Sequence, residues 1–349
     1  MRNPFIAGTW VRGENFFGRE AMLRDILDGE GQCLWVVGAR RLGKTSVLKQ
    51  LEFLALRSPD SAFVPLYWDL QGSDDPRGFA ESLLTAVEDD EAFRRATGLA
   101  VEDVESLPLL EMLATILRRT VRSGWRLLLL VDEAEELIKL GQSGATHLPR
   151  LRRLFQKGPE IRTVLTSTRR LARIDEQPDV TTSPFLQAFI PPLYLTPLSP
   201  DETRSLLARG QFPGDEIETV IERTGCHPFL VQLIGGRLFE TRDLGAVLDQ
   251  VASDEMVSNF LAVDFQTLDA AERSILGEIA RNGRRSASDL ARAAGRSEEA
   301  VQPTLFGLRM MGYLAAEDSG FRLGNWFFER WLRRVVAAGP SPEVPGAAQ

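Results

Sequence analysis

Between residues 31 and 195 the chain alternates short apolar runs with longer amphipathic stretches. Leu34–Val37, Ala62–Leu70, Leu127–Val131, Ile161–Thr166 and Phe189–Leu195 have strand length and are rich in β-branched and aliphatic residues. Helical spacing fills the intervals: Ala21–Leu27, the stretch after Thr45 through Leu56, Pro76–Glu88, Leu107–Val121 and His147–Gln156. Strands that alternate with helices predict an α/β fold, a parallel sheet covered by helices on both faces. From Ser199 the pattern is helical throughout. Ser199-Pro200-Asp201-Glu202 is a capping box with proline at the first helical position. Helices are expected over Glu202–Arg209, Asp215–Arg223, Pro228–Phe239 and Leu244–Asn259.

Thr267–Arg334 has a different rhythm. A helix over Ala270–Arg281, a second one capped at Ser286, a turn at Gly295 and a third from Ser297 precede a hairpin at Gly312–Leu314 and Phe321–Leu323. That is the order of a winged helix-turn-helix. Pro303 would kink the third helix, because it removes a backbone donor and crowds the preceding turn. The Pro- and Gly-rich tail after Val336 cannot build a core and is expected to be disordered. These shifts divide the chain into a lead-in (1–30), a core (31–198), a helical segment (199–262), a winged helix (263–337) and a tail (338–349).

Two loops that follow apolar strands carry the candidate chemistry. Gly38-Ala39-Arg40-Arg41-Leu42-Gly43-Lys44-Thr45, with Ser46 behind it, fits the phosphate-loop pattern G-x-x-x-x-G-K-[ST]. Its glycines let the backbone curl until N–H groups face phosphate oxygens. Lys44 brings positive charge to the β- and γ-phosphates, and the Thr45 hydroxyl is suited to Mg²⁺. About ninety residues on, Leu127–Val131 delivers Asp132 and Glu133 at the strand end where open α/β sheets bind ligands. Asp132 is expected to steady the Mg²⁺ shell, and Glu133 to orient the attacking water. The expected ligands are therefore ATP or ADP with Mg²⁺, and the expected activity is a slow ATPase.

Composition narrows the setting. A length of 349 residues allows two or three domains at roughly 100–200 residues each. No apolar run approaches the ~20 residues that span a bilayer, and the start of the chain lacks a secretory signal pattern. Cys33 and Cys226 are the only cysteines, without metal-ligand company, so neither a disulfide framework nor a zinc site is expected. The expected location is cytoplasmic. A net charge of −8 gives no global footprint for nucleic acid.

Phe16-Phe17-Gly18-Arg19-Glu20 before the phosphate loop, Leu127–Glu133, Leu165–Arg169 (L-T-S-T-R) and Thr224–Phe229 (T-G-C-H-P-F) together resemble the STAND group of signal-transduction ATPases and the AAA-like ATPases of archaea and bacteria. The resemblance covers roughly residues 3–335. It implies an AAA+-type sheet with an extra central strand, a helical lid and a winged helix, and a nucleotide-dependent switch that assembles when ATP replaces ADP. It also implies that Phe17 and Arg19 line the adenine side, that Pro228 lies against the base with His227 near sugar or phosphates, and that Thr168 and Arg169 sense the γ-phosphate. Ser167 and Arg170 are alternatives to the last pair. The group's usual effector domain and repeat array have no counterpart in this sequence, so self-association or a separately encoded effector is the expected partner.

Other residues stay open between roles. Asp69 is either a partner of the metal-site residues or a strand-ending carboxylate. Arg150, Arg152 and Arg153 form either a solvated face or the source of an arginine finger. On the third helix of the winged segment, Glu298, Glu299 and Pro303 stand where a DNA reader would carry basic and amide residues. An intramolecular packing role is therefore favoured, with a DNA-handling ATPase similar to origin-recognition or transposition-regulator proteins as the alternative.

Overall fold

The apolar runs become strands because both faces of the sheet they form are covered. A computed structural model describes residues 2–58, 61–144, 146–175 and 183–338 and divides them into two units. A sheet unit comprises Trp10–Gly38 and Gly43–Leu195. A helical unit comprises the residues up to Thr9, Ala39–Leu42 and the chain from Thr196 onward.

The sheet unit runs α1 (Glu20–Asp28), β1 (Cys33–Val37), α2 (Lys44–Arg57), β2 (Phe63–Asp69), α3 (Pro76–Asp89), α4 (Glu91–Thr97), α5 (Leu109–Arg122), β3 (Arg126–Asp132), α6 (Leu137–Gln142), α7 (His147–Phe155), β4 (Ile161–Ser167) and β5 (Leu193–Tyr194). All strands are parallel, in the order β2-β3-β4-β1-β5. Every residue of β4 is buried, as is β3 beyond Arg126, which is the burial expected of central parallel strands. The motif strands β1 and β3 are separated by β4. The strand that intervenes in sequence, β2, lies at the sheet edge.

The fifth strand is shorter than the apolar run suggests. Pro191 and Pro192 offer no N–H to a ladder, so pairing begins only at Leu193. The preceding Phe185–Phe189 turn instead packs both its phenylalanines against Phe155. Buried Arg162 in β4 ties α1 to the sheet. Its guanidinium donates to the carbonyls of Ile26 (2.8 Å), Leu27 (2.6 Å) and Gly29, the acceptors that the end of a helix leaves open.

The helical unit runs α8 (Pro200–Leu207), α9 (Gly214–Thr224), α10 (Pro228–Thr241), α11 (Leu244–Ser253), α12 (Glu255–Gln266), α13 (Ala270–Asn282), α14 (Ala287–Ala293), α15 (Glu298–Met310), the antiparallel hairpin β6 (Leu314–Glu317) and β7 (Gly320–Leu323), and α16 (Trp326–Ala337). The Ser199 capping box forms as read, with reciprocal bonds to Glu202. One helix expected over Leu244–Asn259 is two, because Asp254 leaves helical geometry and caps α12 through the Met256 N–H. Helix α15 continues through Pro303. The lead-in divides between the units. Up to Thr9 it packs on α10, where Phe5 stacks on Phe212 at 5.7 Å and fills the space beside Gly235. The tail expected to be disordered lies, from residue 339, outside the described residues. No described helix is long and apolar enough to cross a membrane.

Asp254 also accepts from the Arg237 guanidinium, and that hydrogen bond, opposed by partial burial, holds its carboxyl below the ordinary carboxylate range. With the folded pKa depressed, its stabilisation is complete above the unfolded value of about 3.9 and disappears as pH falls through the lower folded value. Asp254→Asn keeps a capping oxygen but not the charge. Thermal melts should show wild type ahead by about 1 kcal/mol near neutrality, with the gap closing below about pH 4. A gap that does not change with pH rejects the ion pair as its source.

Candidate nucleotide site

The phosphate loop leaves β1 at Gly38, whose N–H donates to the Ser167 carbonyl at 3.2 Å. A Cβ there would stand 3.0 Å from Leu195 Cβ and 3.3 Å from its carbonyl oxygen, so the close passage of the chain leaving β5 favours glycine. The loop then takes two left-handed residues, Arg41 (φ 58°) and Gly43 (φ 97°), before α2 begins at Lys44. Such turns gather successive N–H groups into an anion-binding concavity at a helix N-terminus. Lys44 is 7% exposed, and its Nζ donates to the Gly38 carbonyl at 3.2 Å, across the mouth of the curl. Arg19, itself left-handed at φ 67°, brings its guanidinium against Gly43, where a Cβ would meet Nη1 at 3.3 Å. Ser46 and Gln50 on α2 accept from the N–H groups of Val11 (3.1 Å) and Gly13 (2.7 Å), which fastens the lead-in along the helix.

Asp132 ends β3 and is 2% exposed. Its Oδ2 accepts from the Thr45 hydroxyl at 2.6 Å and the Tyr67 hydroxyl at 3.1 Å. Its Oδ1 accepts from the Glu133 N–H at 3.0 Å and the Thr166 hydroxyl. The two motifs thus meet directly through Thr45 and Asp132. Tyr67, whose ring lies under Lys49 Nζ at 3.4 Å, has its hydroxyl pKa pushed well up, first by burial and then by Asp132 and Asp69. It stays a neutral donor. Asp69 stands beside Asp132 in the β2–β3 register and accepts from the Gln71 N–H at 2.9 Å. Partial burial, set against that bond, and the neighbouring Asp132 raise its pKa.

Glu133 occupies a left-handed conformation (φ 49°), uncommon for a non-glycine residue. Thr168 follows β4, and its hydroxyl (2.9 Å) and N–H (3.3 Å) both reach the Glu135 carboxylate. Ser167, the alternative to Thr168, is occupied internally, accepting from Trp35 Nε1 at 2.7 Å and donating to the Thr168 carbonyl at 2.8 Å. Arg169 is half-buried and Arg170 exposed at the start of a short 3₁₀ segment. Phe17 is half-buried ahead of α1. Of the arginines on α7, Arg152 is engaged with the carbonyls of Ser183 and Pro184. Arg150 and Arg153 line an open groove beside α5.

In the helical unit, His227 precedes α10, with Pro228 as its first residue. The His227 ring meets Phe260 edge-on at 5.7 Å, and Phe260 and Phe229 are the rings over which Arg41 of the loop lies. Ala39 and Leu42 are buried in that unit, while Arg40 is exposed. Both cysteines are free, and burial pushes the Cys33 thiol up to about 11, which leaves it unreactive. Among the described residues no group of three or more His, Cys, Asp or Glu side chains is arranged to hold a metal ion by itself.

Residues 27–174 match the family model described as an AAA domain. No curated protein matches the chain. Among solved structures it is similar to the Walker-type ATPase PABY2304 of Pyrococcus abyssi, at 19% identity and a TM-score of 0.71 over 95% of this chain and 99% of that one. It is also similar to the ORC2 protein of Aeropyrum pernix in its ADPNP–ADP complexes, at 16% identity and a TM-score of 0.57 over 93% and 96%. The α/β fold is therefore that of AAA-like P-loop proteins.

The bonding of Asp132 predicts a graded response to its loss. Asp132→Ala leaves four donors, Thr166 buried and the others partly buried, without their acceptor and should cost about 3 kcal/mol or more, whereas Asp132→Asn, around which hydroxyls can turn, should cost about 1–2 kcal/mol. Urea unfolding measures both. Equal stability of wild type and Asp132→Ala would show that the carboxylate does not hold these elements together.

Proposed function

We propose that the chain is an ATP-binding and ATP-hydrolysing regulatory switch of the STAND/AAA type, whose nucleotide state controls conformation or assembly and an effector partner. The observation that carries the reading is the Thr45–Asp132 bond at 2.6 Å at the foot of a phosphate loop whose lysine is buried across its mouth. The donor set suits Mg-nucleotide. Mg²⁺ is usually held by one or two protein oxygens with phosphates and waters completing its shell, and a hydroxyl with one carboxylate supplies those oxygens here. Gly38–Ser46 would cradle the phosphates, with Lys44 and Thr45 at the β- and γ-groups and Mg²⁺ on Thr45 and Asp132. When bound, the metal would neutralise charge on the transferring phosphoryl group.

Glu133 is assigned to the attacking water, because its backbone turn carries it off the strand end next to Asp132. Thr168 is assigned to the γ-phosphate. Its hydroxyl has one proton, which goes to Glu135 here, and a γ-phosphate would compete for it with a like charge. ATP and ADP would then differ at the Thr168–Glu135 pair, with Arg169 alongside. Arg19 is assigned to the phosphate side of the site, and Phe17, His227 and Pro228 to base and sugar. The AAA-domain match and the likeness to a Walker-type ATPase support the class.

A second reading, a DNA-handling ATPase, takes its support from the winged-helix order of α13, α14, α15 and the hairpin. The charges there favour internal packing. Arg284 and Arg322 both pair with Glu317, Arg285 pairs with Glu278, and α15 opens with Glu298 and Glu299.

Lys44→Ala should abolish ATP binding. Glu133→Gln should bind ATP as wild type does while losing turnover at least about a hundredfold. Equilibrium binding and phosphate-release assays report the two, and unaltered ATP affinity in Lys44→Ala would end the phosphate-loop reading. Light scattering after size exclusion should find a compact monomer with ADP and an altered shape or larger assembly with a non-hydrolysable ATP analogue. Arg169→Ala should blunt that difference more than it weakens ADP binding. The same mass and radius in both states would leave a simple ATPase. ATPase rates with duplex DNA at two salt concentrations decide the second reading, since phosphate contacts make binding steeply salt-dependent.

A further inference from the structure

The phosphate loop is held by a residue outside its own motif. Within the helical unit the Arg40 N–H donates to Asp264 Oδ1 at 3.0 Å. The next residue, Arg41, places its guanidinium 4.4 Å from the centre of the Phe229 ring and 5.5 Å from that of Phe260. Asp264 lies in the last turn of α12 and is 5% exposed. Its other oxygen accepts the Tyr313 hydroxyl at 2.7 Å. Tyr313 is buried just ahead of β6 and is fixed through its backbone, donating to the Leu308 carbonyl at 2.9 Å and accepting from the Gly324 N–H at 2.8 Å.

Helix geometry gives no reason for a carboxylate at this position. The last turn of a helix carries partial negative charge, and burying an anion there is unfavourable on both counts. Its donors offset that cost, and two of them come from distant parts of the chain: one from the phosphate loop, one from the C-terminal hairpin segment. The loop needs such support. Arg41 is a bulky residue in a left-handed conformation, which persists only where its surroundings over-determine it. A loop already ordered before ligand arrives spares the ligand the cost of ordering it.

We propose that Asp264 is a positioning residue of the nucleotide site. Its carboxylate fixes the outer limb of the phosphate loop and, because Tyr313 shares it, makes the order of that loop depend on the C-terminal hairpin segment. The proposal rests on the nucleotide reading of Gly38–Thr45 and gives it a specific route of regulation. Whatever displaces the hairpin segment from Asp264 loosens the loop, and whatever orders the loop strengthens the hold on the segment, since such coupling is reciprocal.

The test uses the full chain, with a fluorescent ADP analogue as probe and amide hydrogen exchange of a peptide covering residues 38–43 as a ligand-free measure. A peptide covering β3 serves as reference. Asp264→Ala is expected to weaken ADP about tenfold and to accelerate exchange in the loop but not in β3. Asp264→Asn, which keeps an acceptor, should stay within about threefold of wild type, and Tyr313→Phe should weaken ADP about threefold with faster loop exchange. Unchanged affinity and unchanged loop exchange in Asp264→Ala overturn the proposal. So do tighter binding, no rescue by asparagine, or equal acceleration in β3. Should Asp264→Ala fail to fold, Tyr313→Phe decides, because it removes a hydroxyl without leaving a buried donor unpaired, and unchanged loop exchange in it overturns the proposal. A wild-type protein that binds no ADP defeats the nucleotide reading, while the exchange measurements still decide the role of Asp264.

Discussion

One buried carboxylate sets the geometry of the sheet unit's ligand edge. Asp132 accepts from β2 through Tyr67, from β4 through Thr166, from α2 through Thr45 and from the following residue's own N–H. An ionised carboxylate is an acceptor only, so each donor is fixed in direction as well as distance. Charge makes these bonds stronger than neutral ones, and low exposure keeps water from replacing them. The strand order places β3 between two of these partners. A shift of either neighbouring strand would break a side-chain bond to Asp132 as well as the backbone ladder.

The same constraint explains why the phosphate loop needs its particular residues. Thr45 is bound to Asp132 and Gly38 is pinned under Leu195, so both ends of the motif are fixed to the sheet unit. Only the middle is free to choose its path, and it turns through left-handed residues at Arg41 and Gly43. Ala39–Leu42 consequently belong with the helical unit, where Leu42 is fully buried. Eight consecutive residues thus carry the conformational demands of both units.

Much of this was legible in the chain because it rests on local patterns. Five apolar runs gave five strands, the G-x-x-x-x-G-K-T run gave the loop, and the Ser199 box formed as written. What remained hidden depends on pairing at long range. Nothing near Thr166 or Glu135 marks them as partners of Asp132 and Thr168, since each lies on a strand or turn whose neighbour only the sheet order decides. Asp264 was hidden for a related reason: it sits more than two hundred residues from Arg40, within a helix pattern that reads as ordinary. The tyrosine two residues before Asp69 carried a usable signal. On one strand such a pair shares a face, and β2 ends where β3 delivers its carboxylates. The element ends that depart from the hydrophobic pattern have local causes, the paired prolines before β5 and the capping Asp254.

Helix α12 connects the two behaviours the helical unit must reconcile. Near its middle, Phe260 takes part in the aromatic group of His227 and Phe229 over which Arg41 lies. At its end, Phe265 packs on Phe328 and Trp331 of α16, and Phe328 in turn meets Tyr313 at 5.7 Å. Asp264 stands between these aromatic groups, bound to one partner on each side. Well-packed interiors transmit displacement because they have no voids in which to absorb it. A helix that contacts the phosphate loop at one turn and the C-terminal segment at the next therefore cannot move at one end alone. The paired arginines of the hairpin point the same way. Arg284 and Arg322 spend their charge on Glu317 within the segment. Its links to the rest of the unit are therefore contacts with α12 through Tyr313 and Phe328, with Pro197 beside Gly312, and with α9 through Arg223 over Trp326.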